Sequence, residues 1–167
     1  GTGWPVLSKA RIVLQGQSPY AHEQEALAFL RGVLPDQNPY HVWELVELLD
    51  PSTGRLLEID AIVLGYSALY LIEIKSGPGV YQGDTVDWYR TPLEPPARFM
   101  EPPLRLTNFK AKVLSSLIQS KLRGDVRCPW VQPLVFLSHE NVELRFRSWG
   151  DNAVVTRKTV LEALKNH

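Results

Sequence analysis

The sequence predicts an α/β domain with a central mixed sheet that is flanked by helices. Three observations support this prediction: an amphipathic helix comes first, three strand-like runs joined by short turns follow it, and a second amphipathic helix precedes another apolar run. The predicted element order is therefore helix, three strands, helix and strand. With 167 residues, of which 44% are hydrophobic, the chain can bury one substantial core.

The first predicted helix covers residues 21–34, with Ser18 as its N-cap. At about 100° per residue, Glu23 continues the apolar stripe of this helix, whereas Glu25 points to the opposite side. The stripe consists of Leu27, Leu30 and Leu34. We therefore expect Glu23 to face the core. The alternative is an ordinary first-turn acid that interacts favourably with the helix dipole.

Three strand-like runs follow at residues 40–49, 56–64 and 69–75, with turn sequences at 50–54 and 65–67. Short turns join strands that are neighbours, so we expect an antiparallel meander. Side chains alternate between the faces of a strand. In the third strand one face carries Leu69, Leu71, Glu73 and Lys75, and the other carries Tyr70, Ile72 and Ile74. Both faces are largely apolar, which predicts cover on both sides.

Two acids interrupt these apolar strands. Asp60 and Glu73 are expected to face each other across the hairpin, with Lys75 beside Glu73. Two converging carboxylates supply hard oxygen ligands for Mg²⁺ or Mn²⁺. A nearby lysine can orient or deprotonate a water, or stabilise charge on a phosphate. The alternative is a cross-strand salt bridge on an exposed face of the sheet.

The remaining elements follow from local signals. Residues 1–17 are predicted to form an N-terminal arm, in which residues 11–14 are an edge strand or part of the arm, and residues 18–167 form one domain. Five prolines in residues 91–103 predict a loop. The other predictions are a hairpin at 80–89 turning at Gly83 and Asp84, a helix at 106–123 ended by Gly124, strands at 130–138 and 142–146, irregular or strand structure at 151–155, and a terminal helix capped by Thr156 or Thr159. Pro133 favours an edge position or a bulge for strand 130–138.

An acid on the first helix, Asp60 on the second strand and Glu-x-Lys on the third resemble the PD-(D/E)XK nuclease superfamily, whose core order is αβββαβ. The Leu-Pro that ends the first helix, the Ile-Asp strand and the sequence Ile-Glu-Ile-Lys-Ser look like the nuclease-related domain (NERD) family. This similarity covers about residues 20–122. Residues 22–30 and 106–112 are similar to the branch that forms the N-terminal domain of a large serine/threonine kinase in phage-defence systems of the BREX type.

The resemblance implies metal-dependent hydrolysis of DNA, with Mg²⁺ or Mn²⁺ as cofactor. It assigns Asp60, Glu73 and the backbone carbonyl of Ile74 as metal ligands. Glu23 would hold a metal-bound water or a second metal, and Lys75 would position the attacking water and stabilise charge on the phosphate.

The sequence departs from the family at the second helix. Many members have Asn-Pro-x-x-Gln there, whereas this chain keeps Asn108 but has Phe109 and Lys112 at the Pro and Gln positions. Lys110 and Lys112 can supply positive charge instead, and both are candidate contacts to nucleic acid. Trp88 either stacks on a base or packs the hairpin. Two candidate groups at the edge of the site are Gln82 and Asp84.

Composition limits the alternatives. The 18 basic and 18 acidic side chains cancel, so a surface for nucleic acid has to be local. The single cysteine, Cys128, excludes an internal disulfide and indicates a reducing compartment such as the cytoplasm. The sequence contains no membrane span and no kinase motif. The resemblance to the kinase branch therefore implies that this domain is part of a longer kinase-containing protein. The expected partners are DNA, other phage-defence proteins and the rest of that chain. The competing hypothesis is a catalytically silent module that binds DNA or docks a partner.

Overall fold

The computed structural model describes residues 7–8, 11–83, 88–92, 98–100, 102–146 and 153–166. Its elements in chain order are β1 (Ile12–Leu14), α1 (Ala21–Val33), β2 (His41–Leu49), β3 (Leu56–Leu64), β4 (Leu69–Lys75), β5 (Gly79–Gly83), β6 (Trp88–Thr91), β7 (Arg98–Met100), α2 (Pro103–Lys121), β8 (Val131–Leu137), β9 (Val142–Phe146), β10 (Val154–Thr156) and α3 (Val160–Asn166).

A six-stranded sheet forms the centre of the fold, in the order β1-β2-β3-β4-β8-β10. Strands β2, β3 and β4 are an antiparallel meander, whereas β1 is parallel to β2, and β8 is parallel to β4 and β10. The sheet is therefore mixed. Together with the helices on its faces, this confirms the predicted fold class, and the short run near the N-terminus is an edge strand.

Helices cover both faces of this sheet. One face packs against α1 and α3 through a core that includes Leu27, Leu30, Tyr70, Ile72, Val160 and Leu164. The other face packs against α2 through a core that includes Ile62, Leu69, Leu71, Ala111, Leu114 and Val131. Because residues 69–72 of β4 are all buried, the predicted cover on both sides of this strand is confirmed. Neither long helix, within the described part of the chain, has the length and apolar character needed to cross a bilayer.

A smaller sheet of four strands has the order β7-β6-β5-β9. Its β5–β6 pairing agrees with the predicted hairpin, but residues 84–87, which include Asp84 of the predicted turn, lie outside the described residues. The predicted loop at 91–103 was partly wrong, because β7 pairs with β6 inside that range and α2 already begins at Pro103. Proline is favourable at the first position of a helix, so the proline that suggested a loop here starts a helix instead.

Three local predictions also need correction. Tyr20, not Ser18, is the N-cap of α1, and the Ser18 hydroxyl accepts a hydrogen bond from the Tyr20 N–H at 3.1 Å. Helix α2 ends at Lys121, before Gly124. Strand β8 lies inside the sheet rather than at its edge, but β10 pairs only with its last three residues. Pro133 therefore lies in the part of β8 that has a single neighbouring strand among the described residues.

The sheet is irregular at one position. Leu45 of β2 has a φ of +51°, and the regular β2–β3 pairing skips the Leu45–Asp60 step. Ile59 packs in the α2-side core and Ala61 in the α1-side core, although residues two apart on a strand normally share a face. A positive φ costs roughly 1–3 kcal/mol for a residue other than glycine, and such strain often accompanies functional sites. Here it lies directly beside Asp60.

Candidate functional site

Asp60 and Glu73 lie where β3 and β4 separate. The paired ladder between these strands ends one step before the two acids, whereas β4 stays paired with β8 through Lys75. The opening leaves the Ile74 N–H without its β3 partner, and Asp60 Oδ2 accepts a hydrogen bond from this group at 2.7 Å. The carboxylate of Asp60 thereby takes the place of a backbone carbonyl and stays fixed between the two strands.

The ionisation of Asp60 reflects the charges around it. Burial, followed by repulsion from Glu73 and Glu23, raises the pKa of Asp60 to about 7, although the Ile74 N–H and the Lys110 ammonium act in the opposite direction. The raised pKa thus reflects the burial of Asp60 first and the negative charges of Glu73 and Glu23 second. Such an arrangement favours a proton or a cation among them.

Helix α1 contributes Glu23 to this group. Glu23 is half-buried, and its charge acts on Asp60, whereas Glu25 is exposed and pairs with Arg157. The next turn buries Leu27 against the sheet. The structure therefore has the helix phase that the leucine stripe predicted, with Glu23 turned inward and Glu25 outward.

Lys75 is the last residue of β4 and lies two residues beyond Glu73. Its carbonyl accepts the Ser138 N–H at 2.9 Å, which fixes the backbone at this point. The side chain is half-buried and forms no hydrogen bond or ion pair with any residue that the structure describes. Its ammonium is thus available to a ligand at the end of the strand.

A second lysine reaches the acids from α2. Lys110 is 6% exposed, its Nζ lies 3.2 Å from Glu73 Oε2, and it donates a further hydrogen bond to the Glu58 carbonyl. The sequence predicted Lys110 as a source of positive charge and a contact to nucleic acid, but not as a partner of Glu73. The helical phase contained the signal, because Thr107 and Leu114 are also buried and lie three and four residues away on the same face of α2.

The three candidate contacts to nucleic acid differ in their exposure to solvent. Trp88 is 2% exposed and packs in the core of the small sheet, so it cannot present its ring to a base. Lys110 is buried in its ion pair and is unavailable as a surface contact. Lys112 is exposed and lines a groove of about 780 Å³ between α2 and β8, together with Arg127 and Trp130.

Of the two residues expected at the edge of the site, the structure describes Gln82 but not Asp84. Gln82 is half-buried in β5, and the structure gives it no contact with the acids. Asp84 lies outside the described residues.

The donor atoms fit a hard divalent cation chemically. The carboxylates of Asp60, Glu73 and Glu23 and the carbonyl of Ile74 are all oxygen donors of the kind that Mg²⁺ and Mn²⁺ prefer. In the described part of the chain, however, no three acidic, histidine or cysteine side chains already lie close enough together to hold an ion. The carboxylates would therefore have to move closer together on binding.

Comparison with known proteins confirms the family resemblance that the sequence indicated. The chain is 26% identical over 159 residues to a protein named Probable kinase PglW from Streptomyces coelicolor. The alignment covers 95% of this chain and 10% of the relative, so the chain spans about a tenth of that protein's length. No solved structure matches the chain. The model of the family described as Nuclease-related domain matches residues 18–138, which is more than half of the sequence. The chain therefore belongs to the nuclease-related domain family.

Proposed function

We propose that this chain is a metal-dependent DNA nuclease domain that hydrolyses phosphodiester bonds. The observation that carries this proposal is the pair of acids, Asp60 and Glu73, at the point where two core strands separate, with Lys75 at the end of the same strand. Nucleases with this type of fold generally use divalent metals. Mg²⁺ and Mn²⁺ are the ions that the oxygen donors favour.

The side chains would divide the work as follows. Asp60, Glu73 and the carbonyl of Ile74 would hold the cation, which when bound supplies charge stabilisation for the phosphate and activation of water. The Ile74 N–H keeps Asp60 oriented at the strand end. Glu23 would orient water or a further cation from the α1 side.

Lys75 would act on the substrate directly. Its ammonium lies at the end of β4 and has no partner among the described residues, so it can orient the attacking water and stabilise negative charge that develops on the phosphate. Such stabilisation is strongest where water is partly excluded, and Glu73 and Ile74, which precede Lys75 on β4, are half-buried.

We also propose a biological setting. The similarity to a kinase of which this chain spans about a tenth supports a role as one domain of a longer, kinase-containing protein. Within such a protein the domain would act in anti-phage defence, with DNA and other defence proteins as partners. The exposed Lys112, Arg127 and Trp130 form a surface suited to phosphate and base contacts.

Cleavage of plasmid DNA tests the proposal. The parent, Asp60→Ala and Lys75→Ala are incubated with plasmid and either Mg²⁺ or Mn²⁺, and nicked and linear products are measured on gels. We expect each variant to lose at least about 100-fold in rate, as loss of a group that acts in the transition state commonly does. Lys158→Ala, at an exposed lysine, is the matched control and should cleave like the parent. Equal cleavage by all four proteins would remove the site assignment.

A catalytically silent module that binds DNA or docks a partner is the second candidate. The observation in its favour is the ion pair between Lys110 and Glu73, because an acid that is already paired has less need of a metal. Calorimetric titration with Mn²⁺ separates the two functions. Binding that is lost in Glu73→Ala supports the nuclease, and no binding at millimolar concentrations supports the silent module.

A further inference from the structure

The buried ammonium of Lys110 is the unusual feature of the site. Lysine side chains usually keep their charged ends in water, and burial of an ammonium is costly unless it is paired. Lys110 is only 6% exposed, and its partners are one carboxylate oxygen of Glu73 and the backbone carbonyl of Glu58. The ammonium of Lys110 therefore supplies a cation next to the carboxylate of Glu73.

The charges around Lys110 do not balance. Glu73 contacts the ammonium at 3.2 Å, the charge of Lys110 also acts on Asp60, and Asp60 is in turn repelled by Glu73 and Glu23. One positive charge thus acts on at least two acidic groups. The Glu73 oxygen that binds Lys110 belongs to the residue that a divalent cation would need as a ligand.

An ammonium and a divalent cation cannot easily share this carboxylate. Two cations a few ångströms apart repel each other strongly where water is excluded. Lys110 extends from α2 on a flexible four-carbon stem. Its second partner is the neutral backbone carbonyl of Glu58, a residue exposed to solvent. A change of rotamer in the Lys110 stem would move the ammonium away from Glu73.

We propose that Lys110 is an exchangeable counter-cation: it holds Glu73 in place while the site contains no metal and leaves Glu73 when a divalent cation binds. Lys110 is then a positioning residue that sets the affinity of the domain for metal. The inference rests on the proposed function, because it assumes that Asp60 and Glu73 are the metal ligands. It adds that the ion pair lowers the affinity of the site for metal, because a divalent cation must displace Lys110 from Glu73.

Chemical labelling of lysines tests the exchange in the unmodified protein. The chain is treated briefly with an acetylating reagent, with and without saturating Ca²⁺ or Mn²⁺, and the acetylation of each lysine is measured by mass spectrometry. We expect Lys110 to be protected without metal and to react at least about five times faster with it. Lys121, exposed near the end of the same helix, should react equally in both conditions. Continued protection of Lys110 at a metal concentration that saturates the site would overturn the proposal.

Calorimetry on Lys110→Met gives a second, independent measurement, with Lys121→Met as the matched control and circular dichroism to check folding. We expect Lys110→Met to bind Mn²⁺ at least about ten-fold more tightly than the parent and Lys121→Met to be unchanged. Lys110→Gln replaces the methionine variant if that variant does not fold.

The outcomes separate this inference from the nuclease proposal. Binding by Lys110→Met but not by the parent supports the exchange and removes metal-dependent cleavage by the parent. Equal binding by both, with Lys110 still protected, overturns the exchange and leaves the nuclease proposal intact. Absence of binding in every variant overturns both.

Discussion

Two acids in the central sheet, the buried Glu44 and the half-buried Glu73, each have a basic partner, but their surroundings differ in charge. Glu44 of β2 is 1% exposed, its Oε2 lies 2.8 Å from the Nε of Arg31, and its Oε1 accepts the Gly16 N–H. One carboxylate therefore meets one guanidinium. Glu73 shares the single ammonium of Lys110 with neighbouring acids.

Their local backbones also differ. The backbone of Gly16 packs so closely against β2 that a Cβ at this position would lie 2.6 Å from Leu45 Cγ. This close packing helps to enclose the Glu44 carboxylate. At Glu73 the strands separate, and the site stays open at the end of β4. Charge balance and closure thus distinguish a structural ion pair from a site that can accept a cation.

The largest expected effect breaks the balanced pair. Arg31→Met should leave the Glu44 carboxylate buried without its partner and lower the free energy of unfolding by about 3–5 kcal/mol. Urea denaturation followed by circular dichroism measures this loss, and Mn²⁺ should not restore it. Arg123→Met, at an exposed arginine, should change the stability by less than about 0.5 kcal/mol. A loss below about 1 kcal/mol for Arg31→Met would show that the pair does not stabilise the sheet.

The next largest effect is the pH dependence of stability that Asp60 gives to the acid cluster around Glu73. The pKa of Asp60 is raised from 3.8 to about 7 on folding, so the folded state binds a proton that the unfolded state has released. Its contribution to stability is complete below about pH 4 and is lost as the pH rises through 7. We expect the metal-free domain to lose roughly 3–4 kcal/mol of stability from this group across that window.

Asp60→Asn isolates this contribution. Denaturation of the parent and the variant at several pH values, with a chelator present, should show a flatter pH dependence for Asp60→Asn. Glu143→Gln, at an exposed acid, is the control and should retain the slope of the parent. Identical slopes in the parent and Asp60→Asn would mean that Asp60 does not hold the extra proton.

The smallest effect compares two acids on one helix. Glu23→Gln should raise the stability of the metal-free domain by up to about 1 kcal/mol or leave it unchanged, because repulsion within the cluster is relieved, and it should weaken Mn²⁺ binding. Glu25→Gln removes only an exposed pair with Arg157, so its effect should stay within about 0.5 kcal/mol. Thermal melts with and without Mn²⁺ decide. Loss of the metal-induced shift in Glu25→Gln alone would contradict the role of Glu23.

Local periodicity was sufficient to predict much of this fold. The leucine stripe predicted which way Glu23 faces, and the alternation of the strand predicted that Glu73 and Ile74 lie on opposite faces of the sheet. The short turns predicted the meander, and with it the neighbourhood of Asp60 and Glu73. Each of these features depends on residues that are close in sequence.

The features that sequence reasoning missed depend on distant residues. The importance of Lys110 depends on the carbonyl of Glu58, which is 52 residues away. The sequence left open whether Trp88 stacks on a base or packs in the protein, because the residues that bury it include Val135 and Leu137 of β8, more than 40 residues away. Strand β7 was hidden because its proline-rich surroundings argued for a loop, whereas pairing with β6 decided its conformation.

The span of the Lys110 contacts also has a consequence for the order of folding. The bond between Asp60 and Ile74 closes a segment of 14 residues, whereas Lys110 lies 37 residues from Glu73. Longer loops cost more entropy to close, so contacts between near residues tend to form first. We therefore expect Asp60 and Glu73 to come together before the ammonium of Lys110 reaches them. We expect the Lys110 contacts to be absent from the folding transition state, so that they slow unfolding more than they speed folding.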